Sequence, residues 1–287
     1  MDLAVVGAGR VGTAMAVLLA RAGHRVIAAS GGEATRARVA RHLPGVPVLA
    51  PEEAARGAEL VLIGTPDAAI EPVCTSLAAA GALSAGQTVA HLSGATGLAA
   101  LGAAEALGAE VLSIHPLQTC PDVEAAVERI PGAAIGVTAR TAEGLVLGEG
   151  LARDVGGRPF FLEDRMKPVY HAAAVFASNY LVTVTALAAS LEAIAGMEDP
   201  VAALEPLQRA TLENVTAMGP EAALTGPAVR GDAVTVETNL RGLAEHAPWA
   251  IPAYVALAEL ALELAARSGR LPPEARAAVE EVLARWR

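Results

Sequence analysis

Three groups of residues have the types and spacing for chemistry. The first is Gly7-Ala8-Gly9-Arg10-Val11-Gly12, directly behind the apolar run Leu3-Ala4-Val5-Val6 and ahead of Thr13-Ala14-Met15-Ala16-Val17-Leu18-Leu19. Strand, glycine turn and helix N-terminus in that order suit a dinucleotide pyrophosphate. Gly7 permits the turn, Gly9 lets backbone approach the phosphates, and Gly12 lets the helix pack close to the strand. Free N–H groups and the positive end of the helix dipole then meet the anion. The second group is Lys167 and His171, four apart and so on one helix face, with Ser178 on the same face. Reducing a carbonyl or imine needs a proton donor beside the hydride acceptor. Histidine titrates near neutral pH, and a lysine withdrawn from water can too. The bland alternative is a lysine that snorkels to solvent and a hydrogen-bonded core histidine. The third is Arg230, within Leu224-Thr225-Gly226-Pro227-Ala228-Val229-Arg230-Gly231-Asp232, whose guanidinium fits a substrate carboxylate or a phosphate. Asp232 reads more simply as the cap of the next helix.

These groups need a crevice, and the ends of the apolar runs supply one. Those runs finish in Gly64-Thr65-Pro66-Asp67, His91-Leu92-Ser93-Gly94 and Ser113-Ile114-His115-Pro116-Leu117-Gln118. Ligands of open α/β sheets bind outside the carboxyl ends of the strands. Thr65, Pro66 and Ser93 therefore join Gly7, Ala8, Gly9, Arg10, Val11 and Gly12 as candidate cofactor contacts, with His115 beside the reacting ring as a catalytic candidate. Asp67 and Ser93 could equally serve only as caps. An NAD site wants an acidic residue about 20 residues beyond the glycines. Here the second strand runs out at Ala29-Ser30-Gly31-Gly32, Glu33 comes late, and Arg36 and Arg38 follow. Ser30 and either Arg36 or Arg38 suit a 2′-phosphate, so NADP is expected ahead of NAD.

The positioning elements follow from pattern. Short apolar runs at Leu3–Val6, Arg25–Ala29, Val46–Leu49, Leu60–Gly64, Thr88–Leu92, Val111–Ile114, Ala134–Val137 and Pro159–Leu162 read as strands. Helical stretches such as Ala68–Ala80 and Thr141–Val155 separate most of them, which gives an α/β domain with a mostly parallel sheet covered on both faces. The last two strands have less room between them and are expected to run antiparallel. After about Glu163 the pattern becomes wholly helical, at Met166–Gly196, Pro200–Met218, Asp232–His246, Pro248–Ser268 and from Pro273. The expected domains are 1–163, binding the dinucleotide, and 164–287, helical. Ala172 to Leu191 carries no charge and is long enough for a bilayer, but it is alanine-rich and broken by Ser178, Asn179, Thr183 and Thr185. Burial within the fold or between subunits is the expectation, not a membrane span.

Composition bounds the partners. The 287 residues are 53% hydrophobic and only 18% charged, which excludes a disordered chain. A net charge of −10 argues against nucleic acid and leaves a small molecule as the partner. Cys74 and Cys120 are far apart without metal-ligand spacing, so no metal site is expected. Cys120 reads as a small buried thiol. Met1-Asp2 leads straight into the first strand, so a cytoplasmic setting without a signal peptide is expected.

The glycine turn, Thr65-Pro66-Asp67, His91-Leu92-Ser93-Gly94, His115-Pro116-Leu117, Tyr170-His171-Ala172-Ala173-Ala174 and Leu224-Thr225-Gly226-Pro227 with Arg230-Gly231-Asp232 together carry a resemblance. The chain resembles, over nearly its whole length, bacterial proteins that pair a Rossmann-like domain with a helical C-terminal domain of unassigned function. That resemblance implies an NADP-dependent oxidoreductase with a Rossmann doubly wound sheet, and a homodimer built through the helical domain. More distantly the layout is similar to pyrroline-5-carboxylate reductase, ketopantoate reductase and 6-phosphogluconate dehydrogenase-like enzymes, whose helical domain the C-terminal half should resemble. In the last group a lysine and an asparagine four apart carry acid/base work and substrate binding. Lys167 matches the lysine, while His171 stands where the asparagine would be. Ser178 and Arg230 are the expected substrate contacts. A ketopantoate or pyrroline-5-carboxylate reductase, or a sensor that holds NADP(H) without turning it over, are the alternatives.

Overall fold

The computed structural model describes all residues from Met1 to Arg287. The chain divides into two compact units, Met1–Ser178 and Asn179–Arg287.

The first unit is built on seven strands: β1 (Asp2–Val6), β2 (Arg25–Ser30), β3 (Leu60–Ile63), β4 (Thr88–His91), β5 (Glu110–Pro116), β6 (Ala134–Ala139) and β7 (Arg158–Phe161). Their order in the sheet is β2-β1-β3-β4-β5-β6-β7. β1 to β5 pair in parallel, β5 and β6 are antiparallel, and β6 and β7 are parallel again. The helices between them are α1 (Arg10–Arg21), α2 (Glu33–His42), α3 (Pro51–Ala55), α4 (Asp67–Ala79), α5 (Gly102–Glu105), α6 (Val123–Arg129) and α7 (Ala142–Asp154), with α8 (Lys167–Val175) after β7. Strand β3, Leu-Val-Leu-Ile, is buried at every position, as a central parallel strand covered on both faces must be. Alternate residues go to opposite sides. Leu3, Val5, Leu60, Leu62, Leu112 and Ile114 pack with Met15, Leu18 and Leu19 of α1. Ala4, Val6, Val61, Ile63, Val89 and Val111 pack with Ile70 and Leu77 of α4. Each fully buried Leu or Ile contributes about 1.5–3 kcal/mol.

Two strand expectations are corrected. Val46–Leu49 makes only a single bridge, Ala29 with Val48. Pro47 lies inside that run and has no N–H for a ladder. The last two strands are parallel because α7 gives them a full crossover. The reversal falls one pair earlier. Pro116 pairs with Ile135, so the chain re-enters the sheet at the end it left, and α6 makes no crossover.

The second unit holds α9 (Leu181–Ile194), α10 (Pro200–Met218), α11 (Pro220–Ala223), α12 (Ala233–His246), α13 (Ile251–Arg267) and α14 (Pro273–Ala284). Its core is Val236, Leu240, Val255, Leu262, Val279 and Leu283, all from α12, α13 and α14. Asp199 and Asp232 cap α10 and α12 by accepting from Ala202 N and Thr235 N. The expected single helix Met166–Gly196 is α8, a wide π turn at Phe176–Tyr180, and α9. No residue of α9 is buried, so the expected burial of this segment within the fold is not found. The core is complete without it, and α9 pairs with α10, where Gln208 Nε2 donates to Thr185 Oγ1 at 2.8 Å. The helical runs Asp164–Ile194, of 31 residues, and Pro248–Arg267, of 20, hold 18-residue windows of mean hydropathy 1.6 and 1.4 and are each long and apolar enough to cross a membrane.

Candidate functional site

The turn after β1 is shaped by backbone alone. Gly7 has φ +81°, and its N–H and that of Ala8 both donate to the carbonyl of Ser30 at the end of β2, at 3.0 and 2.8 Å. Gly9 caps α1 with no side chain to occupy the first-turn donors. The N–H groups of Arg10, Val11 and Gly12 therefore face outward unpaired, as the first turn of any helix leaves them. A Cβ at Gly9 would meet no protein atom nearer than 3.7 Å, so the space above the turn is open. A Cβ at Gly12 would come within 3.2 Å of both Gly7 O and Val5 Cγ1. Gly64, which sequence reasoning did not single out, completes the packing. A Cβ there would sit 2.8 Å from Gly7 O and 3.2 Å from Gly12 Cα. Its only signal was its place directly behind the buried strand Leu60–Ile63.

A crevice of about 390 Å³ opens over these strand ends, lined by Gly9, Arg10, Thr65, Ser93, His115 and Cys120 among others. Larger hollows lie between the ends of α1 and α2 (about 510 Å³) and along α13 and α14 (about 860 Å³), but neither touches the C-terminal strand ends where α/β ligands bind. Thr65 Oγ1 is buried there without a partner. Pro66 precedes α4, and Asp67 opens it without making a side-chain cap. Ser93 Oγ accepts from Ala95 N and Thr96 N at 3.1 and 2.9 Å, so its oxygen holds the β4 turn. The Arg10 guanidinium donates to Pro121 O at 2.9 Å. Cys120 is only half-buried, not the buried thiol expected, because the loop carrying it forms part of the crevice wall. Ser30 is buried, Arg36 is exposed on α2, and Arg38 is committed to Ala8 O at 2.9 Å.

Beside the crevice, one face of the sheet turns polar. Val89 and Val111 belong to the apolar core, but the next residues on that face are His91 on β4 and Ser113 and His115 on β5. Helix α8 brings Lys167 to them. Lys167 is fully buried, and its Nζ donates to Ser93 O at 2.9 Å and Ser113 Oγ at 2.6 Å. It does not snorkel. Burial lowers its pKa to about 8, against the pull of Asp164 and Asp67. Asp164 itself accepts from Leu98 N at 2.9 Å. His91 Nδ1 accepts from Ser93 N at 3.2 Å. Burial, then the Lys167 charge, holds His91 down to about 3. Burial, then Lys167 and His171, holds His115 down to about 4, with Asp67 opposing. Tyr170 lies with its hydroxyl 2.8 Å from His115 Nδ1, and burial pushes it up to about 12. His171 is half-buried, one turn beyond Lys167. Ser178 falls in the π turn, which breaks the 3.6-residue phase behind its alignment with Lys167. The first unit thus gathers the glycine turn, Thr65, Ser93, His115 and Lys167. Arg230 is exposed in the second unit, between α11 and α12. Ser113, Asp164 and Tyr170 were not foreseen as site residues. Only Ser113 had a signal, a polar residue two before His115 on a buried strand.

Residues 1–116 match the model of a Rossmann-like domain, and residues 133–261 match that of a domain of unknown function, DUF2520. The chain pairs a Rossmann-like domain with a DUF2520 domain. The DUF2520 match begins at β6, so it takes in β6, α7, β7 and α8 as well as helices of the second unit. Solved structures share this fold. A candidate NADP oxidoreductase from Bacteroides fragilis is 22% identical, with a TM-score of 0.74 over 91% of this chain and 98% of that one. A reductive aminase from Aspergillus terreus, in complex with NADPH and ethyl levulinate, is 20% identical, with a TM-score of 0.66 over 98% of both chains. A pyrroline carboxylate reductase from Plasmodium falciparum with NADP bound is 12% identical, with a TM-score of 0.57 over 97% of this chain and 98% of that one. No curated protein matches the sequence.

Proposed function

We propose that this Rossmann-like–DUF2520 protein is an NADP(H)-dependent oxidoreductase that reduces a small, anionic carbonyl or imine compound. The observation that carries the reading is the first turn of α1. Three unpaired N–H groups sit under the open space at Gly9, continuous with the crevice lined by Thr65, Ser93 and His115. That is a cradle for a pyrophosphate. The ligands of the reductive aminase and the pyrroline carboxylate reductase support the choice of cofactor.

When bound, the reduced nicotinamide would supply the hydride. The chain's own residues would do the rest. His171, half-buried on α8, is assigned the proton transfer. Lys167, with Nζ turned into the protein, acts from behind as a fixed positive charge. Arg230 is assigned an acidic group on the substrate. His171→Ala is expected to lower kcat about 100-fold or more. NADPH affinity should stay within about twofold, since the variant touches only the chemical step. Steady-state rates and a binding titration check this, and an equal fall in both would remove His171 from the chemistry.

Cofactor choice rests on α2. No acidic side chain closes β2, Arg38 is committed to Ala8 O, and Arg36 is left for a 2′-phosphate. Arg36→Ala is expected to weaken NADPH about 10-fold, one charge-assisted contact's worth, with NADH unchanged. Parallel titrations of the variant with both nucleotides measure it. The oxidoreductase reading itself is tested by mixing protein and NADPH with a panel of keto acids and cyclic imines. Substrate-dependent loss of reduced-nicotinamide absorbance supports it. Binding without consumption across the panel would point to a sensor instead.

The same reading takes the protein as a cytoplasmic homodimer. Val182 and Val184 on α9 and Leu207 and Leu212 on α10 are exposed, with no buried residue on α9. A second copy laid on these helices would remove that apolar surface from water.

A further inference from the structure

Tyr170 and His115 form a contact whose proton arrangement the surroundings decide. Tyr170 Oη lies 2.8 Å from His115 Nδ1, and the rings meet edge to face at 5.4 Å between centroids. Phe160 of β7 tilts against the tyrosine from another side at 5.8 Å. The phenol is therefore held by packing as well as by its hydrogen bond. Either group can in principle donate. Two facts choose between them. Oη has no second hydrogen-bond partner in the chain, so a proton not given to Nδ1 would be left without an acceptor at a half-buried position. A phenol is also a far stronger acid than the N–H of a neutral imidazole, and burial keeps Tyr170 protonated. Tyr170 thus donates and Nδ1 accepts, and the single proton of the neutral ring is on Nε2.

Where Nε2 points is fixed by the turn after β4. A Cβ at Gly94 would fall 2.7 to 2.9 Å from Cε1, Nδ1 and Nε2 of His115, so the ring lies flush on bare backbone. Nε2 has no partner in the chain and is not among the buried unpaired atoms, and His115 lines the crevice. We infer that Tyr170 is a positioning residue that fixes His115 as the Nε2–H tautomer, giving the crevice a neutral hydrogen-bond donor for an acceptor oxygen of its ligand. The charged and titratable groups around the ring favour the same state. Lys167 and His171 on α8 oppose a positive charge on it, His91 on β4 stays neutral, and only Asp67 at the head of α4 pulls the other way. Use of the donor rests on the proposed ligand site, but the tautomer does not.

The test needs no nucleotide, so its failure is distinct from a failure to bind NADPH. Full-length protein with ¹⁵N-labelled histidine is examined by long-range proton–nitrogen correlation, which reports which ring nitrogen carries the proton. At neutral pH the wild type should show His115 with Nε2 protonated and Nδ1 bare. Tyr170→Phe keeps the ring packing and removes only the hydroxyl. It should raise the Nδ1–H form several-fold and move the His115 titration upward, because a bond to the neutral form has been lost. A wild-type spectrum showing Nδ1–H, or a variant with an unchanged tautomer, overturns the inference. Should the variant fail to fold, the wild-type spectrum decides alone.

Discussion

Gly7→Ala is expected to weaken NADPH binding at least about 100-fold while leaving the sheet folded. The residue sits at φ +81°, where a side chain costs about 1–2 kcal/mol. The added Cβ would also lie 2.9 Å from Thr65 N and 2.5 Å from Thr65 Cγ2. A methyl end can turn away, but backbone nitrogen cannot, so the turn must move from the end of β3. That movement shifts the Gly7 and Ala8 N–H groups off Ser30 O and re-aims the first turn of α1. Two or three charge-assisted bonds to phosphate, each worth about 1.5–3 kcal/mol, would then be misdirected. Gly132→Ala provides the control. Gly132 has φ +82° with nothing within 4 Å of its Cβ position, so it carries the strain without the clash and lies outside the crevice. In thermal melts Gly132→Ala should lose only the stability that the φ strain costs and Gly7→Ala that and more, and only Gly7→Ala should lose the nucleotide. Unchanged affinity in Gly7→Ala would mean the turn does not hold the phosphates.

Lys167→Met is expected to change stability in opposite balance at neutral and alkaline pH. The lysine's pKa falls from 10.5 when free to about 8 in the fold. A base with a lowered folded pKa binds fewer protons folded than unfolded between those values. Stability therefore rises with pH across that window, and below pH 8 the full penalty of burying the charge is present. From pH 7 to pH 10 this amounts to about 2–3 kcal/mol. Methionine fills similar volume but removes the donor to Ser113 Oγ and one of the two donors to Ser93 O, which keeps Ser113 Oγ at 3.2 Å, at about 1–3 kcal/mol. At pH 7 the relieved charge and the lost bonds nearly cancel, so the variant should be about as stable as wild type. At pH 10 the wild-type amine is neutral and still bonded, so the variant should be less stable by about 2 kcal/mol. Urea unfolding at the two pH values reads the difference directly, and a constant gap would show that Lys167 keeps its ordinary pKa.

How much of this was legible in the sequence depends on what each feature's signal was. Gly7, Gly9 and Gly12 announce themselves because a fixed backbone need has one residue that meets it, and the run sits between a strand and a helix. The inner strands were readable because both-face burial leaves apolar runs, whereas the edge strand β7, with Phe160 and Phe161 exposed, was readable from its apolar composition alone. Val46–Leu49 misled because hydrophobicity was counted and the missing N–H of Pro47 was not. The direction of the last strand pairs depends on where connections lie in space, which periodicity does not carry. In the site, Lys167 stood out as a charge at the mouth of an uncharged helix, and the structure buries it instead of letting it snorkel. Its partner Ser113 is one serine on an apolar strand, and only the register that sets β5 beside β4 brings it, with Ser93 O, under the lysine. Tyr170 opens the run Tyr170-His171-Ala172, but nothing in the sequence assigned it a role, because its meaning comes from a histidine 55 positions away. The π turn at Phe176–Tyr180 was likewise hidden, since a one-residue slip in helical phase leaves the composition unchanged.

The central claim is that the crevice over the glycine turn binds NADPH in preference to NADH. Titration of the purified full-length protein with each reduced nucleotide, followed by nicotinamide fluorescence, tests it most directly. Saturable NADPH binding with NADH at least about 10-fold weaker is the expected result. Binding of neither nucleotide would contradict the account, and the glycine turn would then be a packing device between β1, β3 and α1.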